Sequence, residues 1–195
     1  MKSLKESIFD NIDDIVSNDP LIHKTIEQFL RDNYKIAGSY TIKNGVVDVN
    51  GSVYVKQRNI SNPLISLVNK LFRFGNVSGS FDCCFQTKLA SLEGAPEKVG
   101  GSFSCNWCES LTSLEGAPEN VSGSFSCSYC EKLTSLKGAP EEVDEGFYCI
   151  NCEKITSLEG APKETPLICC HGCKNLKFTD QDRKNIKLKN INDIY

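Results

Sequence analysis

An internal repeat of about 22 residues constrains the fold of this chain more than any other feature of its sequence. Residues 101–121 and 123–143 are nearly superimposable, and the unit reads V-x-G-x-F-x-C-x-x-C-x-x-L-x-S-L-x-G-A-P-x-x. Its Phe recurs at a spacing of 22 residues, as Phe81, Phe103, Phe125 and Phe147, and Ile168 follows 21 residues later. One such unit cannot bury its own apolar face, so consecutive units are expected to stack into a solenoid with a continuous core.

The positions of the repeat have separate physical interpretations. The F-x-C segment alternates with period two and predicts a short strand whose Phe and Cys side chains both point inward. The leucines of L-x-S-L turn the chain back over the core, the glycine of G-A-P suits a positive φ, and the proline prevents a helix. Each coil is therefore predicted to be one strand plus an extended return, and the strands form a parallel sheet about 4.8 Å apart on one face.

The repeat extends beyond its four phenylalanine-containing copies. Residues 49–55 (VNGSVYV) align with residues 77–83 (VSGSFDC), which places a degenerate first coil near Val49 with an irregular return through residues 64–71. Six coils are predicted in total. The expected organisation is an N-terminal helical cap over residues 1–37, the solenoid over residues 38–178 and a C-terminal tail or cap over residues 179–195.

The N-terminal region has the pattern of a helical pair. Apolar residues at helical spacing predict helices over residues 4–17 and about 20–34, with Asn18, Asp19 and Pro20 between them. A hairpin around Asn44 and Gly45 then leads into the first coil. The pair is interpreted as a cap on the end of the solenoid, and the alternative is a separate interaction element.

The repeat resembles a known family. F-x-C-x-x-C-x-x-L-x-S-L-x-G-A-P is similar to the leucine-rich repeat L-x-L-x-x-N/C-x-L, with the proline-bearing return of short bacterial repeats. More closely, LTSLEGAPENVSGSFSC and VVDVNGSVYV resemble a group of phage and bacterial repeat proteins, over residues 38–178. The resemblance implies an α+β fold: a leucine-rich-repeat-type solenoid with a parallel β-sheet of short strands and an N-terminal helical cap. It implies a phage origin and no particular activity.

The charge of the repeats and the composition of the N-terminal segment limit the expected classes of partner and the expected cellular location. Residues 76–165 carry 14 acidic and 6 basic residues, which argues against nucleic acid as a ligand of the repeats. The start of the chain, MKSLKESIFDNIDD, lacks the apolar segment of an export signal, and no stretch is apolar enough to span a membrane. The expected location is cytoplasmic, in the host cell for a phage protein, with most of the 11 cysteines reduced.

Four C-x-x-C pairs raise the question of metal binding, which two such pairs alone would suggest. They are Cys105/Cys108, Cys127/Cys130, Cys149/Cys152 and Cys170/Cys173. Val55 takes the first slot in coil one and Gln86 the second slot in coil two, so these are interpreted as small core slots whose thiols form structural ladders. No cofactor is expected. Metal and redox or disulfide chemistry remain alternatives, above all at Cys170, His171 and Cys173, where a histidine joins the thiols.

Outward positions of the repeat predict a binding surface. Phe85, Trp107 and Tyr129 recur just after the strand and are expected to stack as an aromatic strip. Beside it lies a serine-rich sheet face that also carries Asn106, Tyr54 and Tyr148. Aromatic side chains at a coil edge are good anchors for a protein partner, so these six residues are predicted to bind one. The alternative is that the aromatic side chains cover the rim of the core.

A second candidate surface is acidic. Two columns of the repeat supply its residues: Glu93, Glu115 and Glu159 in one, and Glu97, Glu119 and Glu141 in the other. One interpretation is a solvated face that confers solubility. The other is a stripe that binds a basic partner, in the manner of nucleic acid, with an affinity that falls steeply with salt.

The sequence contains no Ser/His/Asp set, no paired catalytic carboxylates and no phosphate-binding loop. The predicted function is a non-enzymatic protein–protein interaction scaffold, encoded by a phage, that binds a host protein. Inhibition of a host enzyme or defence system is a candidate role. The alternatives are a structural or assembly component that self-associates, and a zinc-binding module that uses the C-x-x-C ladders.

Overall fold

The computed structural model describes residues 19–56, 72–177, 179, 182 and 187–188. Three predictions lie wholly or mostly outside these residues: the helix over residues 4–17, the irregular return of the first coil through residues 64–71, and the C-terminal tail or cap over residues 179–195.

One helix, α1 (Pro20–Asn33), stands at the N-terminal end of the described fold. Asp19 caps it, since its Oδ1 accepts a hydrogen bond from the Leu21 N–H at 2.7 Å, and Pro20 fits the first turn. Ile26 and Leu30 are buried in the same apolar core as the repeats, so α1 covers the N-terminal end of that core. Within the described residues, no helix has the length and apolar character that crossing a membrane requires.

An antiparallel hairpin follows the helix and confirms the prediction at Asn44 and Gly45. Strand β1 (Tyr34–Lys43) pairs with β2 (Val46–Val55), and the two turn residues have φ values of 50° and 68°. Two positive φ values are the signature of a type I′ turn, whose twist matches that of the strands. Gly38 lies opposite Gly51. A Cβ on Gly51 would come within 2.0 Å of the Ala37 carbonyl oxygen, so the close approach of the two strands requires glycine here.

The rest of the described chain is a parallel β-solenoid of about four turns. Its short strands form two ladders of one sheet. The ladder that continues the first half of β2 contains β3 (Arg73–Val77), β5 (Lys98–Val99), β7 (Asn120–Val121), β9 (Glu142–Val143), β11 (Glu164–Thr165) and β13 (Lys187–Leu188). The ladder that continues the second half of β2 contains β4 (Phe81–Asp82), β6 (Phe103–Ser104), β8 (Ser124–Ser126), β10 (Gly146–Tyr148) and β12 (Ile168–Cys169).

The second strand in each turn differs from the prediction of one strand per coil. It is formed by the buried valine that begins the V-x-G segment and by the exposed residue before it, and it has only two residues in most turns. Such a segment is too short to show a strand period in the sequence. Six coils were also predicted; six strands do form the β2–β12 ladder, but the described residues make about four turns.

The pairing register confirms the alignment of the degenerate first coil. Val49 pairs with Val77, and Val53 pairs with Phe81, as the match between residues 49–55 and 77–83 requires. The inward side chains then continue from turn to turn. Phe81, Phe103, Phe125 and Phe147 stack with centroid spacings of 5.6, 5.2 and 5.4 Å and interplanar angles of 5° to 7°. The result is a continuous core, completed by the leucines and cysteines of the repeat.

Candidate functional site

Three aromatic side chains form a ridge along one corner of the solenoid. Phe85, Trp107 and Tyr129, called the aromatic ridge below, stack as predicted: the centroids of Phe85 and Trp107 are 6.2 Å apart, and those of Trp107 and Tyr129 are 4.1 Å apart. The interplanar angles are 8° and 2°. Phe85 is 44% exposed and Trp107 is 40% exposed. Trp107 thus stacks between the other two rings and remains partly accessible to solvent.

The backbone of the aromatic ridge is in the left-handed region. Phe85, Trp107 and Tyr129 each have φ of 61°, a conformation that bulky residues rarely adopt and that costs roughly 1–2 kcal/mol per residue. The same repeat position in the next two turns holds Asn151, with φ of 55°, and Gly172, with φ of 78°. Asparagine and glycine adopt this conformation readily. The corner therefore accepts residues other than aromatic ones.

Hydrogen bonds between turns fix the corner in this conformation. The Trp107 N–H donates to the Ser128 carbonyl at 3.0 Å, and the Tyr129 N–H donates to the Ile150 carbonyl at 2.7 Å. The next turn therefore holds each ridge residue through its main chain. The ring positions follow from a rigid backbone rather than from flexible loops, which favours a preorganised surface.

A hydrogen-bonded polar face lies beside the aromatic ridge. Asn106 is at its centre: its Oδ1 accepts from Ser126 Oγ at 2.6 Å and from the Ser128 N–H at 2.8 Å, and its Nδ2 donates to Ser104 Oγ at 3.0 Å. The outward strand residues form the predicted column through successive register pairs. Its members are Tyr54, Asp82, Ser104, Ser126, Tyr148 and Cys169.

The two tyrosines of the predicted surface occupy the first and fifth of the six positions in this column. Tyr54 is 39% exposed, and Lys35 Nζ lies 5.9 Å from its ring centroid. Tyr148 is half-buried and folds over Gly146, where an added Cβ would meet its ring at 3.1 Å. The structure thus brings Asn106 together with the aromatic ridge and leaves Tyr54 and Tyr148 outside it.

Ser128 and Cys84 belong to the polar face but were not singled out from the sequence. Ser128 Oγ accepts from the Ile150 N–H at 3.1 Å, and Cys84 Sγ lies 2.9 Å from Ser104 Oγ. Burial raises the pKa of the Cys84 thiol to about 12, so this thiol stays protonated at neutral pH. The available signal was their repeat position, which is the one that Asn106 occupies in its own turn.

The two acidic columns are partly neutralised by cations from neighbouring turns. Glu97 pairs with Arg73, Glu115 pairs with Lys137 at 3.0 Å, and Glu141 pairs with Lys163 at 2.8 Å. The other three predicted residues are exposed and have no ion-pair partner within the described part of the chain: Glu93, Glu119 and Glu159. Exposed pairs of this kind contribute little to stability, about 0–1 kcal/mol each. The arrangement is compatible with a solvated face.

The second cysteine of each C-x-x-C pair donates a hydrogen bond to the main chain of the preceding turn, which confirms the predicted structural ladder. The acceptor carbonyls belong to the first cysteine of that turn. The bonds are Cys108 to Cys83 at 3.3 Å, Cys130 to Cys105 at 3.3 Å, Cys152 to Cys127 at 3.2 Å and Cys173 to Cys149 at 2.9 Å. Contact with Cys108, together with burial, raises the pKa of the Cys83 thiol well above its usual range. Burial and this contact thus favour the protonated thiol at Cys83.

Gln86 takes the place of a thiol at the start of this ladder. Its side chain is 1% exposed; Nε2 donates to the Cys84 carbonyl at 3.4 Å, whereas Oε1 has no hydrogen-bond partner in the described structure. At the other end, Cys170 and Cys173 are buried, and His171 is exposed. Among the described residues, no group of three or more His, Cys, Asp or Glu side chains is arranged to hold a metal ion.

These features define the chain as a parallel β-solenoid with a helix at its N-terminal end, an exposed aromatic ridge and a polar strand face beside it. No protein-family model, curated protein or solved structure matches the chain.

Proposed function

We propose that this chain is a non-enzymatic protein-interaction module of the leucine-rich-repeat type, which binds a partner protein through the aromatic ridge and the polar face around Asn106. The left-handed backbone of the ridge carries the proposal. Three bulky residues occupy a corner where Asn151 and Gly172 serve in later turns. The side chains of Phe85 and Trp107 are exposed, and that of Tyr129 is half-buried. Strained, exposed residues on a rigid scaffold are typical of binding sites.

The geometry of the ring stack favours a protein over single-stranded nucleic acid. Bases bind to exposed aromatic faces, but Trp107 already stacks between Phe85 and Tyr129. The acidic excess over residues 76–165 also repels phosphate groups. A stack of partly exposed aromatic rings, one of them an indole with an N–H donor, suits an apolar protein pocket that contains a hydrogen-bond acceptor.

The biological setting follows from the resemblance of the repeat to phage and bacterial proteins. We place the chain in the cytoplasm of an infected host, where it would capture a host protein by competition or steric block. A host enzyme or a defence factor is the expected class of target. Rigidity supports this mechanism, because a surface fixed by hydrogen bonds between turns loses little entropy on binding.

Affinity capture with paired variants tests the proposal. Wild-type protein, Trp107→Asn and Leu21→Asn are immobilised and exposed to host lysate, and bound proteins are identified by mass spectrometry. Leu21 is the matched control because it is an apolar side chain, 72% exposed, on α1. The expected result is a protein retained by wild type and Leu21→Asn and lost with Trp107→Asn.

The purified target then allows a direct measurement of affinity. Loss of a central aromatic anchor removes about 2 kcal/mol or more of binding free energy, which weakens Kd about thirtyfold. Equal affinity of wild type and Trp107→Asn would refute the ridge as the binding surface. Sedimentation of the free protein separates the assembly alternative, because self-association that depends on Trp107 would assign the ridge to a second copy of the chain.

A further inference from the structure

The thiol ladder changes character at its C-terminal end. In earlier turns the second cysteine follows a corner residue with a side chain, and Cys108, Cys130 and Cys152 are each 0% exposed. In the last turn the corner residue is Gly172, which has no side chain, and Cys173 is 8% exposed. Cys173 is therefore the most exposed thiol of the ladder.

Cys173 also follows a thiol of the preceding turn in the same column of the repeat. Cys152 and Cys173 hold the same repeat position in consecutive turns, whose strands pair in register at Phe147 with Ile168 and at Tyr148 with Cys169. Neighbouring parallel segments are about 4.8 Å apart, inside the range of about 4.4–6.8 Å between Cα atoms that a disulfide spans. The bond from Cys173 Sγ to the Cys149 carbonyl, 2.9 Å long, holds the thiol on the preceding turn.

We infer that Cys173 is a redox-active thiol, which reacts with a small-molecule disulfide such as oxidised glutathione and then forms an intramolecular disulfide with Cys152. This pair would join the last turn of the solenoid to the turn before it. The inference is independent of the proposed binding function, since neither cysteine belongs to the aromatic ridge or to the polar face.

The chemistry balances over two exchange steps. The sulfur of Cys173, having lost its proton, attacks one sulfur of oxidised glutathione; the glutathione S–S bond breaks, and one glutathione leaves and takes up a proton. The sulfur of Cys152, after losing its own proton, then attacks Cys173 Sγ in the mixed disulfide and releases the second glutathione. The protein loses two protons and two electrons, and one oxidised glutathione becomes two reduced molecules.

Two other partly exposed thiols allow a sharp comparison. Cys84 and Cys169 are half-buried and lie at outward positions, and Cys84 contacts the hydroxyl of Ser104. Neither stands in an inward ladder column in which a thiol follows on the next turn. Exposure alone would direct the reagent to these two residues, where it would remain as a mixed disulfide. The ladder geometry instead predicts a product without glutathione at Cys173.

The test uses the full chain, reduced and then incubated with oxidised glutathione, acid-quenched and analysed by intact and peptide mass spectrometry. The expected product has lost two hydrogens and contains a Cys152–Cys173 link. Cys152→Ser should instead trap glutathione on Cys173, and Cys173→Ser should abolish the link. Cys169→Ser, the control, should leave it unchanged.

Mapping on the wild-type chain keeps the test decisive even for a variant that folds poorly. A link that maps to any other pair of cysteines, or glutathione retained only on Cys84 and Cys169, would overturn the inference. The linked protein should also melt at a higher temperature than the reduced protein, because the cross-link restricts the unfolded chain. An unchanged melting temperature would show that the link does not fasten the last turn.

Discussion

Each turn of the solenoid contains two corners in the left-handed conformation, and they differ in what the fold demands of them. The glycine corner, at Gly94, Gly116, Gly138 and Gly160, has φ between 86° and 90°. The aromatic ridge has φ of 61° at all three of its residues. A Cβ on Gly138 would lie 2.5 Å from Glu115 Cα, whereas the ridge side chains are exposed at Phe85 and Trp107 and half-buried at Tyr129. The glycine corner thus requires glycine, because the main chain of the preceding turn leaves no room for a side chain. The aromatic ridge does not require aromatic residues.

This difference separates a residue that the fold needs from one that serves another purpose. Replacing Asn or Gly with an aromatic residue at the ridge adds roughly 1–2 kcal/mol of backbone strain. Each stacked ring pair returns about 0.5–1.5 kcal/mol. The two effects nearly cancel, so stability alone gives little reason for aromatic residues there. The proposed binding to a partner would supply such a reason.

The largest effect is expected at the glycine corner. Gly138→Ala should lower the free energy of unfolding by about 3 kcal/mol or more, because it adds left-handed strain and a collision with the main chain of the preceding turn. Urea unfolding monitored by circular dichroism measures this. Ala139→Gly, one residue along, is the control for a change of the same size at an ordinary position. Similar stability of Gly138→Ala and wild type would remove the distinction between the corners.

A smaller effect is expected in the thiol ladder behind the aromatic ridge. Cys130→Ala should cost about 1–3 kcal/mol, because it leaves the buried Cys105 carbonyl without the Sγ donor at 3.3 Å. Cys130→Ser keeps a donor at this position and should recover part of the loss. The same unfolding measurement applies, in reducing buffer. Equal destabilisation by both variants would mean that packing volume matters here and the hydrogen bond does not.

The smallest effect is expected from lengthening the aromatic ridge. Asn151→Tyr should change the free energy of unfolding by less than about 1 kcal/mol, because stacking on Tyr129 offsets the left-handed strain. Asn151→Ala adds strain without a ring and should be the less stable of the two. Thermal unfolding of both variants makes the comparison. Asn151→Ala as stable as Asn151→Tyr would show that ring stacking contributes nothing at this corner.

The sequence was sufficient for the features that repeat. A strict spacing of 22 residues predicts stacking, the inward Phe and Cys columns and the pairing of Val53 with Phe81, because identical units must take identical environments. The hairpin was predictable from Asn44 and Gly45, which are the residue types that a type I′ turn needs. These features depend on local conformation and on periodicity, and both can be read from the chain.

The sequence was not sufficient for the backbone of the aromatic ridge. In a sequence, left-handed conformations are recognised from glycine and asparagine. The left-handed backbone of Phe85, Trp107 and Tyr129 therefore could not be predicted from their residue types. The one available signal was the occurrence of Asn151 and Gly172 at the same repeat position. Ion pairs such as Lys163 with Glu141 were also missed, because the cation comes from a neighbouring turn. Column positions alone do not show which long side chains meet.

The central claim is that the fold does not need the aromatic ridge. Its most direct test is the free energy of unfolding of the triple variant Phe85→Asn, Trp107→Asn and Tyr129→Asn, measured in urea by far-ultraviolet circular dichroism. The expected result is cooperative unfolding within about 2 kcal/mol of wild type, because the loss of two ring stacks is offset by relief of three strained residues. Loss of the cooperative transition, or destabilisation beyond about 5 kcal/mol, would contradict the claim and make the ridge part of the structural core.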